Sequence, residues 1–148
     1  MKPGCTDIAL SRRLERAEAA ANAAFVEARA VARPELSAGW IDVDGTWAMF
    51  DGAESPLTQT FGLGLFAELS PEQLDEIEAF FASRGAATHH EVSPLAGPRQ
   101  LQLLPQRGYV PIEQSTVLVC PLTSETLSML RPPDGIDGLG SDHRRLRD

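Results

Sequence analysis

Three places in this chain set chemistry-bearing residues at useful spacing. The first is His89-His90-Glu91, inside the run Ala86 to Val92, which reads as a strand ending at Ser93-Pro94. Successive strand residues point to opposite faces, so His89 shares a face with Glu91, while Thr88, His90 and Val92 share the other. The two imidazoles therefore cannot close on one ion, and no metal site is expected. His89 or Glu91 could still hold or relay a proton, which makes them the candidate catalytic residues; a structural or solvent-exposed role is the alternative. The second place is Gly62 and Gly64, two positions apart in the apolar run Thr58 to Phe66. Read as one side of a strand, they leave bare backbone for a ligand, and are candidate cofactor-binding positions; a bulge or a tight helix contact would use glycine as well. The third is a charge field. From Glu35 to Glu91 eleven acidic residues face Arg84 alone, a balance of -10 within a chain of net charge -8. That field suits a cationic substrate such as a small amine, or simply a solvated helix face, and disfavours nucleic acid, whose phosphates need clustered Lys and Arg.

The elements that must position these residues begin with a hairpin. Trp40 to Val43 and Thr46 to Phe50 are short apolar runs separated by Asp44-Gly45, the dipeptide that accepts positive φ at both centres of a type I′ turn. A two-residue loop fixes the register, pairing Val43 with Thr46, Asp42 with Trp47, Ile41 with Ala48 and Trp40 with Met49. One face then carries Ile41, Val43, Ala48 and Phe50, and the other Trp40, Trp47 and Met49. Both are apolar, so helices should cover both sides.

Upstream, Thr6 or Asp7 can cap a helix that continues to about Arg33 and stops by Pro34. Leu14, Ala17, Ala21, Ala24, Ala28 and Val31, with Phe25 beside them, predict its buried stripe, against the sheet or as a coiled-coil seam. Unbroken, it would be long for a small domain, so a kink or split is expected. Downstream, Leu69-Ser70-Pro71-Glu72-Gln73-Leu74 is a helix start: Ser70 at the N-cap, Pro71 at N1, Gln73 closing a capping box, and Leu69 and Leu74 as a staple. Leu74, Ile77, Phe80 and Phe81 form its buried side, and Gly85 follows its end. Gly97-Pro98 opens a short helix with Leu101 and Leu104 inward, which Pro105 should end or kink. Gly108-Tyr109 leads on to a buried strand at Val117 to Cys120. From Thr123 the pattern fades into a mobile tail with a small basic cluster.

At 148 residues with 43% apolar and 23% charged residues, the chain is an ordinary globular domain. We expect a folded domain over 1–122 and a flexible tail over 123–148. No apolar run approaches the roughly 20 residues of a membrane span, and residues 1–10 lack a signal-peptide core, so a cytoplasmic protein without membrane contact is expected. Cys5 and Cys120 form no C-x-x-C and are expected as thiols.

The order helix, hairpin, third strand, capped helix, strand, short helix, Gly-aromatic pair and final strand resembles the GNAT superfamily of acyl-CoA-dependent N-acyltransferases. The stretches T-F-G-L-G-L-F, H-E-V-S-P-L and R-G-Y-x-P carry the resemblance over roughly residues 8 to 122, and it is nearest to the amino-terminal half of a tandem GNAT protein. It implies an α/β (α+β) fold, with a mixed, mostly antiparallel sheet and helices on both faces. It also implies acetyl-CoA as cofactor, an amine as acceptor, and a second GNAT domain or a homodimeric copy as partner. The family's pyrophosphate loop, Q/R-x-x-G-x-G/A, falls here on F-A-E-L-S-P-E-Q, which lacks the glycines, has Pro71 with no N–H, and sets Glu68 and Glu72 where phosphates would sit. The family's tyrosine acid falls on Leu104, and Tyr109 matches only the structural aromatic. The resemblance thus implies a cofactor-site-degenerate, non-catalytic half. The alternatives are an active small acyltransferase, with His89 or Glu91 as base, and a binding module using the same cleft.

Overall fold

The structure, a computed structural model, describes residues 7–120 and 122–129. By its contacts the chain divides into two units, Met1–Val110 and Pro111–Asp148.

In the first unit a three-stranded antiparallel sheet, order β1-β2-β3, lies between two helices. β1 (Gly39–Val43) and β2 (Thr46–Phe50) pair in the expected register, with Trp40 opposite Met49 and Val43 opposite Thr46. Asp44 (φ 49°) and Gly45 (φ 90°) both adopt the left-handed geometry of the turn, and Asp42 Oδ1 accepts the Gly45 N–H at 2.7 Å. Both faces are covered. Val43, Ala48 and Phe50 pack with Leu74, Ile77, Phe80 and Phe81 of α2 (Pro71–Ala82). On the other side Met49 and Phe61, flanked by Trp40 and Trp47, meet Ala19 and Ala23 of α1 (Ile8–Ala32). The two indoles stack at 4.4 Å, and the Arg16 guanidinium lies over Trp47 and over Phe66.

α1 is capped by Asp7, whose carboxylate accepts the Leu10 N–H at 2.7 Å, and it runs as one helix where a kink or split was expected. Thr6, the other cap candidate, lies outside the described residues. The buried stripe differs from the expected one. Ser11, Ala19, Ala23 and Val26 face inward, whereas Ala17, Ala21, Ala24 and Ala28 are exposed, as are Phe25 (51% exposed) and Val31 (85%). Alanines line both sides of this helix, so apolar spacing alone cannot choose between them. The choice falls to Ser11 and Glu15, whose polar atoms find partners on the sheet side: Ser11 Oγ lies 3.1 Å from Ser93 Oγ, and Glu15 accepts the Gly62 N–H.

β3 is shorter than the run that predicts it, covering only Gln59–Phe61. Gly62 (φ 74°) and Gly64 (φ 69°) are both left-handed, which ends the strand and turns the chain through 62–66. α2 starts as its sequence dictates: Ser70 Oγ accepts the Gln73 N–H at 3.2 Å, and the Gln73 side chain accepts the Ser70 N–H at 2.8 Å. We expect Ser70→Ala to cost about 1 kcal/mol, read as a lower urea midpoint at unchanged slope.

Two further expected strands are not formed. Of Ala86 to Val92, only His90 bridges the sheet, in parallel with Thr60. Val117 to Cys120 is irregular and exposed. α3 (Pro98–Gln106) contains Pro105 and stops before Gly108 (φ 85°). Leu104 packs against the α2 side of the core; the side chain of Leu101 lies outside the described ones. Arg107 and Tyr109 tie this end to α2: Arg107 reaches Asp75 at 2.7 Å and Glu78 at 2.8 Å, and the Tyr109 hydroxyl donates to Glu78 at 3.0 Å. In the second unit Ser124–Met129 forms a short helix, α4, at the start of the expected tail, and 130–148 lie outside the described residues. No helix of the described residues is long and apolar enough to cross a membrane.

Candidate functional site

Thr60 organises the site. It is fully buried on β3; its N–H donates to His89 O at 3.0 Å, its carbonyl accepts from Glu91 N at 3.2 Å, and its Oγ1 lies 3.0 Å from His90 Nδ1. These three bonds fix the His89-His90-Glu91 run beside the sheet. Immediately beyond them the two segments part, because the next free donor, Gly62 N–H, goes to Glu15 Oε2 at 3.0 Å. Arg12 Nε donates to Leu65 O at 2.7 Å, holding α1 over the same turn.

The sequence candidates separate by this geometry. His89 is exposed, while His90 points inward with its ring edge-on to Tyr109 at 4.7 Å. Burial, aided by the charge of His89, lowers the His90 pKa to about 4, so its imidazole is neutral at physiological pH. The Tyr109 phenol is pushed up to about 12 by burial and by its bond to Glu78, and serves as a fixed donor. Glu91 is partly buried and lies in the field of Glu18 and Glu15 on α1; desolvation first, then those two charges, raise its pKa to about 7. Glu15 is itself raised by desolvation, against the pull of the Gly62 N–H. A carboxyl group half-protonated near neutrality can give or take a proton, and His89, two residues away, is exposed to solvent. Among the described residues no cluster of His, Cys, Asp and Glu could hold a metal ion.

The glycine positions are occupied by the chain itself. Besides giving its N–H to Glu15, Gly62 is so close to Phe66 that an added Cβ would lie 2.8 Å from Cε2. At Gly64 an added Cβ would fall 1.5 Å from Gln100 Nε2, an amide that is 1% exposed and donates to Ala96 O at 2.8 Å. Gln100 thus lies flat against the Gly64 backbone. Its own segment, Ala96 to Gln100, lines with Glu68 and Gln102 a cavity of about 290 Å3, in which the Glu68 carboxylate lies 3.9 Å from Arg99 Nε.

Glu15, Glu18, Thr60 and Gln100 are the residues that motif reading misses. For Glu15 a signal exists: it interrupts the helix face that the sheet must bury, and a buried carboxylate demands a donor. Gln100 carries none, since a polar residue two places after a helix-opening proline reads as solvent-facing. The chain matches no family model, and no significant match is found among curated proteins or solved structures.

Proposed function

We propose that this chain is a GNAT-like domain with a degenerate cofactor site, the non-catalytic half of a tandem N-acetyltransferase that supports an acyltransferase half. Three features favour the reading. A hairpin and third strand precede a capped helix; a segment parallel to the third strand follows it, joined through Thr60 and His90; and a helix ending in a Gly-Tyr pair comes next. The observation that carries the degenerate part is the occupation of the glycines. A pantetheine arm needs free backbone along and just beyond the third strand, but in the turn that follows β3 Glu15 takes the Gly62 N–H and Gln100 covers Gly64. The stretch aligned with the pyrophosphate loop is a closed capping box, in which the Ser70 and Gln73 N–H groups are already bonded and Pro71 has none.

Calorimetric titration with acetyl-CoA tests this. The expected result is no heat of binding up to about 1 mM ligand, and micromolar affinity would sink the reading. A second reading, an active small acyltransferase, draws on one observation: Glu91 with its pKa near 7 is tuned for a general base. It requires acetyl-CoA to raise the melting temperature and a panel of amines to release free CoA, with Glu91→Gln abolishing the release.

A further inference from the structure

α1 reverses the usual polarity of a surface helix, in which charge faces water and apolar residues face the sheet. Three of its charged side chains reach the sheet side and bond to backbone there: Arg12 Nε donates to Leu65 O at 2.7 Å, Arg16 to Gly45 O at 3.1 Å, and Glu15 Oε2 accepts the Gly62 N–H at 3.0 Å. The opposite side is apolar. Leu14, Ala17, Ala21, Ala24, Ala28 and Val31 follow one another at alternating steps of three and four residues, with Phe25 alongside. Leu14 is half-buried, the four alanines are exposed, and Phe25 and Val31 are 51% and 85% exposed. A single exposed apolar residue needs no explanation, but this row runs roughly 27 Å along the helix without a charge in it.

Steps of three and four average 3.5 residues, the repeat of a two-stranded coiled coil, so the row fits another helix of similar length. Within the first unit α2 and α3 are shorter, and α2 has its apolar side in the core. After Val110 the sequence carries no second row of that length: Pro111, Pro121, Pro132 and Pro133, then Gly135, Gly138 and Gly140, interrupt it. What α1 does match is itself. With Leu14, Ala21 and Ala28 at a and Ala17, Ala24 and Val31 at d, Arg13 and Ala20 fall at g, and Glu18 and Phe25 at e. In a parallel, in-register pair each g residue lies beside the next e residue of the other helix, so Arg13 meets Glu18 and Ala20 leaves room for Phe25, on both sides of the axis. Among the described residues neither Arg13 nor Glu18 has an ion-pair partner within the chain. An antiparallel pair that stacks Ala17 on Ala21 would instead set Glu18 against Glu18 of the other copy.

We infer that two copies of this chain pair through α1 as a parallel two-stranded coiled coil, with the row from Leu14 to Val31 as its seam and Arg13 of each copy beside Glu18 of the other. The pairing buries Phe25 and Val31, and it brings a cation to Glu18, whose charge otherwise adds to that of Glu15 in the field at Glu91. Alanine at four of the six seam positions lets the helices approach closely, and the two-fold axis closes the assembly at two copies. Only the outer face of α1 is involved, so the pairing is independent of whether acetyl-CoA binds.

Sedimentation velocity of the whole chain from about 1 to about 500 µM tests the inference, and a monomer–dimer equilibrium is the expected result. Ala21→Glu places a good helix former at an exposed position, so it should abolish the dimer and leave the urea midpoint of the monomer unchanged. Arg13→Glu should raise the dimer dissociation constant by on the order of tenfold, and adding Glu18→Arg to it should restore the parent value, a rescue that requires the two positions to meet across copies. Ala24→Cys, made together with Cys5→Ser and Cys120→Ser, should oxidise to a disulfide-linked dimer, because a parallel in-register pair sets residue 24 against its own copy. Three results would overturn the pairing: a monomer at every concentration, as when the second unit covers this face; a dimer that survives Ala21→Glu, meaning another surface joins the copies; or a dimer lost with Ala21→Glu in which Ala24→Cys stays unlinked or the charge exchange fails to rescue, meaning the helices do not pair in this register.

Discussion

Gly64→Ala should destabilise the protein by about 2–4 kcal/mol, the largest effect expected of any single methyl group in this chain. Two causes add. Gly64 sits at φ +69°, where a Cβ strains the backbone by roughly 1–2 kcal/mol. The new Cβ also lands 1.5 Å from Gln100 Nε2 and 2.5 Å from Cδ, so the Gln100 side chain must leave. It cannot leave freely, because it is 1% exposed and its amide is bonded to Ala96 O. The two causes separate in a double-mutant cycle with Gln100→Ala. The single Gln100→Ala variant loses the Ala96 bond and its packing, and adding Gly64→Ala to it should cost only about the backbone strain, because no side chain then opposes the new Cβ. A coupling energy of about 1 kcal/mol or more, from urea unfolding of the four proteins, is the expected outcome. Strict additivity would mean that Gln100 does not rest on Gly64.

Gln100 also bears on function, together with Glu15. If Gln100 and Glu15 fill the place of a cofactor arm, removing them uncovers backbone without creating the missing phosphate loop. Glu15→Ala with Gln100→Ala should therefore still bind no acetyl-CoA in calorimetry. Recovery of binding would show that the capped start of α2 is no obstacle, and that the two side chains alone close the site.

What was legible in the sequence is what local rules decide. Asp44-Gly45 fixes the hairpin register because only a two-residue type I′ turn suits that dipeptide, and the register fixes which side chains face each helix. Ser70 and Gln73 satisfy each other's backbone within four residues, so no distant contact can easily override them. The failures share a different origin. The inward face of α1 sets Ala19 and Ala23 against Met49 and Phe61 and gives Glu15 a donor on Gly62, forty-seven residues away, contacts that alanine spacing alone does not reveal. Gly62 and Gly64 alternate like strand residues on paper, but left-handed φ at both positions turns the chain instead. His89-His90-Glu91 was legible as a local cluster with His90 on the opposite side; that Glu91 alone meets α1's carboxylates depends on helix placement. The strand expected at Val117 has the composition of a sheet strand, but composition cannot supply a partner.

The second large effect is a pH dependence hidden by compensation. Glu91 has a folded-state pKa of about 7, above its model-peptide value of 4.5, so ionising it favours unfolding: the cost starts near pH 4.5 and is complete above pH 7. His90 runs the other way. Its folded pKa of about 4 lies below 6.5, so it costs nothing above pH 6.5, and stability is lost as pH falls from 6.5 to 4. Between pH 4.5 and 6.5 unfolding thus binds a proton at His90 and releases one at Glu91, and the two slopes cancel. Glu91→Gln removes one of them. At pH 8 the variant should be more stable than the parent; the full linkage value of about 3 kcal/mol falls to about 1–2 kcal/mol at a carboxylate still partly open to water. At pH 4.5 the two proteins should be nearly equal in stability. Urea unfolding from pH 4.5 to 8 should therefore show the stability difference growing with pH, while the variant alone acquires the rising slope of His90. A difference of constant size would mean that neither burial nor the charges of Glu18 and Glu15 raise the Glu91 carboxyl, removing the tuned group on which any acid-base role for this site depends.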